Sequence, residues 1–227
     1  MHLVKLLILV PVVGCITETT QPTTTVTAHW TLGTLATGRT IDCPTSVPIA
    51  RLVAQPVDGG APTETEFACA DDLGVSAALA PAPYVLVLQL LGADGTLYAQ
   101  STPRTIDLTD GNDASLDVTI LDDAGYAQVA WTLADAATGA PLTCVAAMID
   151  HVVVTSTGAA GAFVDVFPCD AHAGLTNALP TGAYAIAVTG ERANQRIGIA
   201  AALASRQIDA NNRVTDVGSV QVQVAVP

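Results

Sequence analysis

The chain has 227 residues and a mass of 23.0 kDa, enough for one large domain or two small ones. Only 13% of residues are charged, 8 Lys+Arg against 21 Asp+Glu, giving a net charge of -13; the basic footprint that nucleic-acid binding needs is missing, and nucleic acid is excluded as a partner. The 50% apolar content rests on alanine and valine rather than aromatics (4%), and no apolar run reaches the ~18 residues of a spanning helix.

Residues 1–14 hold one base, Lys5, and then the apolar run Leu6-Leu7-Ile8-Leu9-Val10-Pro11-Val12-Val13, too short to span a membrane and suited to the core of a secretory signal peptide. The run ends in Val12-Val13-Gly14-Cys15, which resembles the lipobox of bacterial lipoproteins. The competing reading is an ordinary secretory peptide with a coincidental cysteine. The resemblance implies cleavage before Cys15, diacylglycerol on its thiol, and acyl chains that hold firmly because each buried methylene contributes about 0.8 kcal/mol. It makes the membrane a partner through a lipid anchor. Ile16 in second place, rather than aspartate, favours the bacterial outer membrane. Residues 15–25 are Thr-rich and lack apolar periodicity, so they are expected to form a flexible tether.

From Val26 onward the sequence is written twice. Trp30-Thr31-Leu32 recurs as Trp131-Thr132-Leu133, Ala36-Thr37-Gly38 as Ala137-Thr138-Gly139, and Cys43 as Cys144. After a one-residue deletion, Phe67-Ala68-Cys69 matches Phe167-Pro168-Cys169, Gly74 matches Gly174, and Tyr84 matches Tyr184. Two tandem domains are expected, residues 26–122 and 125–227, joined by a turn at Asp123-Ala124-Gly125.

Within each unit the dominant period is two, the mark of half-buried strands. Val26, Ala28, Trp30 and Leu32 alternate with polar residues, as do Val129, Trp131 and Leu133. Tyr84, Leu86, Leu88 and Leu90 answer to Tyr184, Ile186 and Val188; Leu116, Val118 and Ile120 answer to Val220, Val222 and Val224. Trp30, Tyr84, Trp131 and Tyr184 are thus the predicted core aromatics. Runs near 26–33, 49–55, 63–69, 84–91, 96–101, 104–108 and 115–121 give about seven strands per repeat, and the fold class is all-β: two tandem immunoglobulin-like β-sandwiches. Leu179-Pro180-Thr181-Gly182-Ala183-Tyr184, leading into an apolar strand, resembles transthyretin-like and carboxypeptidase-regulatory-like domains; Leu79-Ala80-Pro81-Ala82-Pro83-Tyr84 lacks the glycine. That resemblance implies a spacer, assembly or binding module.

With Cys15 assigned to lipid, four cysteines remain, which allow three pairings. Cys43 with Cys69 and Cys144 with Cys169 keep each repeat self-contained, and each pair brackets a predicted hairpin with its turn at Asp58-Gly59-Gly60 or Gly158-Ala159-Ala160-Gly161. An oxidising compartment suits this. A zinc site would want close-spaced Cys or His pairs, which are missing.

Catalytic signals are sparse. His29 falls on the outward face of the first strand and is Ala130 in the second copy; His151 follows Asp150, but neighbours along a strand point to opposite faces; His172 sits in a turn-like segment. Gly74-Val75-Ser76-Ala77-Ala78 has only half of a nucleophile elbow. Asp107, Asp110 and Asp113, with Asp117 beyond, set hard oxygen ligands in one loop as calcium requires, against the competing reading of ordinary aspartate turn chemistry. No cofactor is expected. The sequence therefore points to a non-catalytic envelope lipoprotein that docks another envelope protein. The alternative is a module binding cell-wall or surface polysaccharide, for which Tyr98 and Tyr126 are the remaining aromatic platforms.

Overall fold

In the computed structural model, which describes residues 23–201 and 203–225, the period-two segments are strands and helix is confined to three single turns. Among the described residues no helix is long and apolar enough to cross a membrane. The chain forms two tandem β-sandwiches, each with its own core. Nine strands lie between Val26 and Leu121 and ten between Ala124 and Val224.

Each sandwich begins with a strand that pairs in parallel with the last strand of the same repeat. Val26–Gly33 runs beside Ala114–Leu121 from Val26↔Ala114 to Gly33↔Leu121. Ala124–Asp135 runs beside Val214–Val224 from Tyr126↔Val214 to Asp135↔Val224. The facing sheet is antiparallel: Thr63–Ala68 at the edge, Ile49–Pro56, then Pro83–Leu91 in the first repeat, and Gly161–Pro168, His151–Gly158, then Gly182–Arg192 in the second.

Alternation places Val26, Ala28, Trp30 and Leu32 against Leu52, Leu86, Leu88 and Ile120 in one core, and Val129, Trp131 and Leu133 against Val152, Val154, Ile186 and Val222 in the other. Each tryptophan donates its indole N–H to the carbonyl of the second cysteine, Trp30 to Cys69 at 2.9 Å and Trp131 to Cys169 at 3.0 Å, which satisfies a buried polar group. Phe67 and Phe167 pack beside them, with ring centroids 5.8 Å apart in both pairs. These rings lie over Gly74 and Gly174, where a Cβ would sit 2.3 and 2.6 Å from the phenyl carbons. The glycine shared by the two copies is therefore set by close approach. Tyr84 and Tyr184 donate their hydroxyls back to the carbonyls of Ala80 and Pro180, four residues upstream, pinning the lead-in to the central strand.

Three expectations need correction. The turn at 123–125 is absent: only Asp122 and Asp123 bend, and the new strand begins at Ala124, with Ala124 and Gly125 paired to Pro180 and Leu179. Gly125 is required because a Cβ there would meet the Asp209 carbonyl at 2.2 Å. Second, about seven strands per repeat undercounts; Thr40–Ile41, Leu73–Val75 and their counterparts are too short to carry a period. Third, Cys69 opens a turn of 3-10 helix, Cys69–Asp71, instead of ending a strand.

The repeats also differ. In the second, Gln195–Ala200 bonds to both Gly182–Arg192 and the last strand, closing the two layers into one sheet. Gly198 permits this, since a Cβ there would lie 2.9 Å from Val222; the pairing places Ala99 at the same position in the first repeat, where the layers stay separate.

Candidate functional site

The four cysteines are consumed in the bridges Cys43–Cys69 and Cys144–Cys169, and Trp30, Tyr84, Trp131 and Tyr184 are buried. Cys15 and the 1–14 segment lie outside the described residues. His29 is exposed, and His151 and Asp150 do not pair: Asp150 accepts a hydrogen bond from the Ala193 N–H. His172 adopts a left-handed backbone (φ 57°) and ends a helical turn, as Asp72 does in the first copy.

Of the three calcium candidates, Asp110 is exposed and the other two have protein partners. The Asp107 carboxylate accepts from the backbone and hydroxyl of Thr109, and Asp113 accepts from Thr25 N–H and the hydroxyls of Thr24 and Thr25; these bonds hold both carboxyls below the usual carboxylate range. Asp113 thus pins the start of the first strand to that loop. Among the described residues no three His, Cys, Asp or Glu side chains converge on a point that would hold a metal.

All nine aromatic residues fall within the described part, and none is exposed. Tyr98 and Tyr126 are half-buried at the junction between the repeats, so neither offers a free stacking face. Tyr98 donates its hydroxyl to Asp122, and burial together with that bond pushes its pKa up to about 12. Asn212 completes the junction. It is 1% exposed, accepts from Leu121 N–H at 3.0 Å and donates to the Gln100 carbonyl at 2.7 Å, bridging the turn before the last strand of the second repeat to the first repeat.

A shallow cleft of about 490 Å³ at one end of the second sandwich is lined by Val145, Met148, Ile149, Asp150, Asp170 and Arg192. Cys144 and Cys169, which also line it, are locked in the disulfide and offer no free thiol. Val145, 87% exposed, sits on the single helical turn Cys144–Ala147, capped by the Thr143 hydroxyl.

The surface that separates the two repeats is the outer face of the antiparallel sheet. In the first repeat the pairing aligns Glu66, Arg51, Gln89 and Gln100 in one row across four strands, with Glu64, Val53 and Val87 in the next. Arg51 reaches both acids, at 2.8 Å from Glu66 and 3.4 Å from Glu64. Such exposed pairs contribute about 0–1 kcal/mol, but charges on an edge strand deter sheet-to-sheet association. The second repeat replaces them. The corresponding rows read Val166, Val153, Thr189 and Ile199, then Val164, Thr155 and Ala187, then Ala162, Thr157 and Ala185. Val164, Val166 and Ile199 are 59%, 58% and 53% exposed. These three rows carry no charge; His151, Glu191 and Arg196 form the row beyond them.

The edge strand Gly161–Pro168 turns its one acid, Asp165, inward. Asp165 is 5% exposed and accepts from the backbone and side-chain amides of Asn177 at 2.9 and 2.6 Å, while its other oxygen is buried without a hydrogen-bond partner. An inward charge under an edge strand discourages a further strand from joining. The accessible feature is therefore the face.

No family model and no curated protein matches this chain. Solved structures with a similar trace include GBS52, the minor pilin of Streptococcus agalactiae (11% identity, 90% of this chain and 98% of that one, TM-score 0.33). Others are the fimbrial anchor protein Mfa2 of Porphyromonas gingivalis (11%, 81% and 82%, TM-score 0.30) and a proposed polysaccharide-binding protein of Bacteroides thetaiotaomicron (8%, 77% and 78%, TM-score 0.32). Likeness at this level carries no argument about the site, which rests on its residues.

Proposed function

We propose that this chain is a non-catalytic module of the bacterial envelope, exported, held to the outer membrane by lipid on Cys15, and spaced from it by residues 15–25. Its second sandwich docks a protein partner through the uncharged outer face. The observation that carries this reading is the exchange of Arg51, Glu64 and Glu66 in the first repeat for Val153, Val164 and Val166 at the paired positions of the second. A chain of net charge -13 that keeps three adjacent rows free of charge exposes an apolar patch there, and such patches on soluble proteins mark contact surfaces. A polysaccharide site would call for an exposed aromatic platform, and no aromatic side chain is exposed.

A photo-crosslinking residue at position 164, introduced into the protein in intact envelopes, tests this. The expected result is one dominant protein adduct, lost when Val166→Glu is added. Adducts to glycan alone, or none, would refute the docking role.

A further inference from the structure

We propose that the partner seated on this face is a second copy of the same chain, packed sheet on sheet about a two-fold axis. The inference rests on the docking role above and names its occupant.

Charge selects the occupant. With 21 acids against 8 bases, most approaches of one copy to another bring carboxylates together. Two copies of the Val164–Val166–Ile199 face meet without any such pair. The face of the first repeat is a poor substitute, because covering it would strip water from Arg51, Glu64 and Glu66. A two-fold contact of like face on like face also closes on itself, so it ends at two copies.

The surface suits sheet-on-sheet packing. Its outward side chains are Val, Thr, Ala and one Ile, short enough for two sheets to approach to about 10 Å with their strands turned by about 30°. The buried Asp165 disfavours the competing arrangement, in which edge strands pair and one sheet runs through both copies. His151, Glu191 and Arg196 then lie at the rim, where polar residues are ordinarily found.

Area sets the strength. The ten outward positions of these rows, each spanning about 4.8 Å across the strands and about 6.8 Å along them, cover roughly 330 Å² per copy, or about 650 Å² in total. That is below the size of a stable specific contact, so a weak, reversible dimer with Kd toward the upper end of the micromolar range is expected. Copies tethered to one membrane surface would meet far more often than copies in free solution.

The test is sedimentation velocity on the full chain purified from envelopes in mild detergent, across about 1 to 200 μM. The expected result is a concentration-dependent doubling of mass. Val164→Glu with Val166→Glu should raise Kd more than tenfold, since four carboxylates then face one another across the axis. The first repeat carries glutamate at both positions, so folding should survive, as circular dichroism would verify. Ile199→Gln, the residue of the first repeat at that position, is a milder second variant that should weaken the dimer several-fold. A monomer at every concentration, or a dimer that both variants leave unchanged, overturns the proposal. If the purified chain stays monomeric while position 164 crosslinks in envelopes to a different protein, the second copy is refuted and the docking role stands; if position 164 crosslinks to nothing, both fall.

Discussion

Asn212 is the residue whose removal tests most directly how the two sandwiches are joined. Its backbone is left-handed (φ 58°), its N–H donates to the Ala124 carbonyl at 2.7 Å, and its amide side chain ties Leu121 N–H and the Gln100 carbonyl. Asn212→Ala leaves a part-buried donor and a part-buried acceptor without partners, about 1 kcal/mol each. It also puts alanine, which lacks the short polar side chain that eases left-handed backbone for asparagine, in that conformation, about 1 kcal/mol more. The expected loss is about 3 kcal/mol. Asn212→Gly, which relieves the backbone cost, should lose about 2 kcal/mol. Urea unfolding followed by tryptophan fluorescence suits the question, because Trp30 and Trp131 report one repeat each. With Trp131→Phe or Trp30→Phe as the background, the two midpoints should coincide in the parent and separate in Asn212→Ala. A loss under 1 kcal/mol, or equal losses for Ala and Gly, would refute the assignment of both the clasp and the backbone contribution.

Tyr98 supplies a pH test. Its folded pKa is raised above the unfolded value of about 10, so its contribution to stability is complete below that pH and is lost as pH climbs toward about 12; Tyr98→Phe should flatten the stability profile over that window, and an unchanged profile would refute the link. Replacing Cys43 and Cys69 together by alanine opens a loop with sequence separation 26 and should cost about 3.5 kcal/mol on the chain-entropy model, read from urea midpoints; a cost below 1 kcal/mol would count against it. Gly74→Ala drives a methyl group into the Phe67 ring and should cost about 1–3 kcal/mol with a perturbed Trp30 emission, whereas a neutral effect would show that the ring moves freely. Cys15→Ser should shift the protein from the membrane to the soluble fraction, and a variant still in the membrane would sink the lipid anchor.

The core was legible because it is periodic. Val26, Ala28, Trp30 and Leu32 announce a face at every second residue, and the second copy repeats the announcement. Thr40–Ile41 and Leu73–Val75 were not, since strands of two and three residues are set by what the first strand offers them and carry no pattern of their own. Asn212 lies in the loop Asp209-Ala210-Asn211-Asn212-Arg213, where the sequence signal is the Asn211-Asn212 pair, a residue type that accepts left-handed backbone; only the fold sets that loop beside the junction. The outer face was half visible. Arg51 and Val153 are 102 positions apart while Glu66 and Val166 are 100 apart, so only the strand pairing shows that the charges and the valines occupy the same sites.

The parallel pairing of first and last strands governs how each sandwich bears force. Val26 and Leu121 lie at opposite ends of one ladder, as do Tyr126 and Val224. Tension applied through the two termini of a repeat therefore pulls along the strands, and the ladder's hydrogen bonds are loaded in shear, to yield together instead of unzipping one at a time. The second ladder is the longer, with a register slip at Gln128/Val129 as its weak place. A repeat held at one end and gripped at the other would therefore resist as a single ladder up to the load at which the whole ladder gives way.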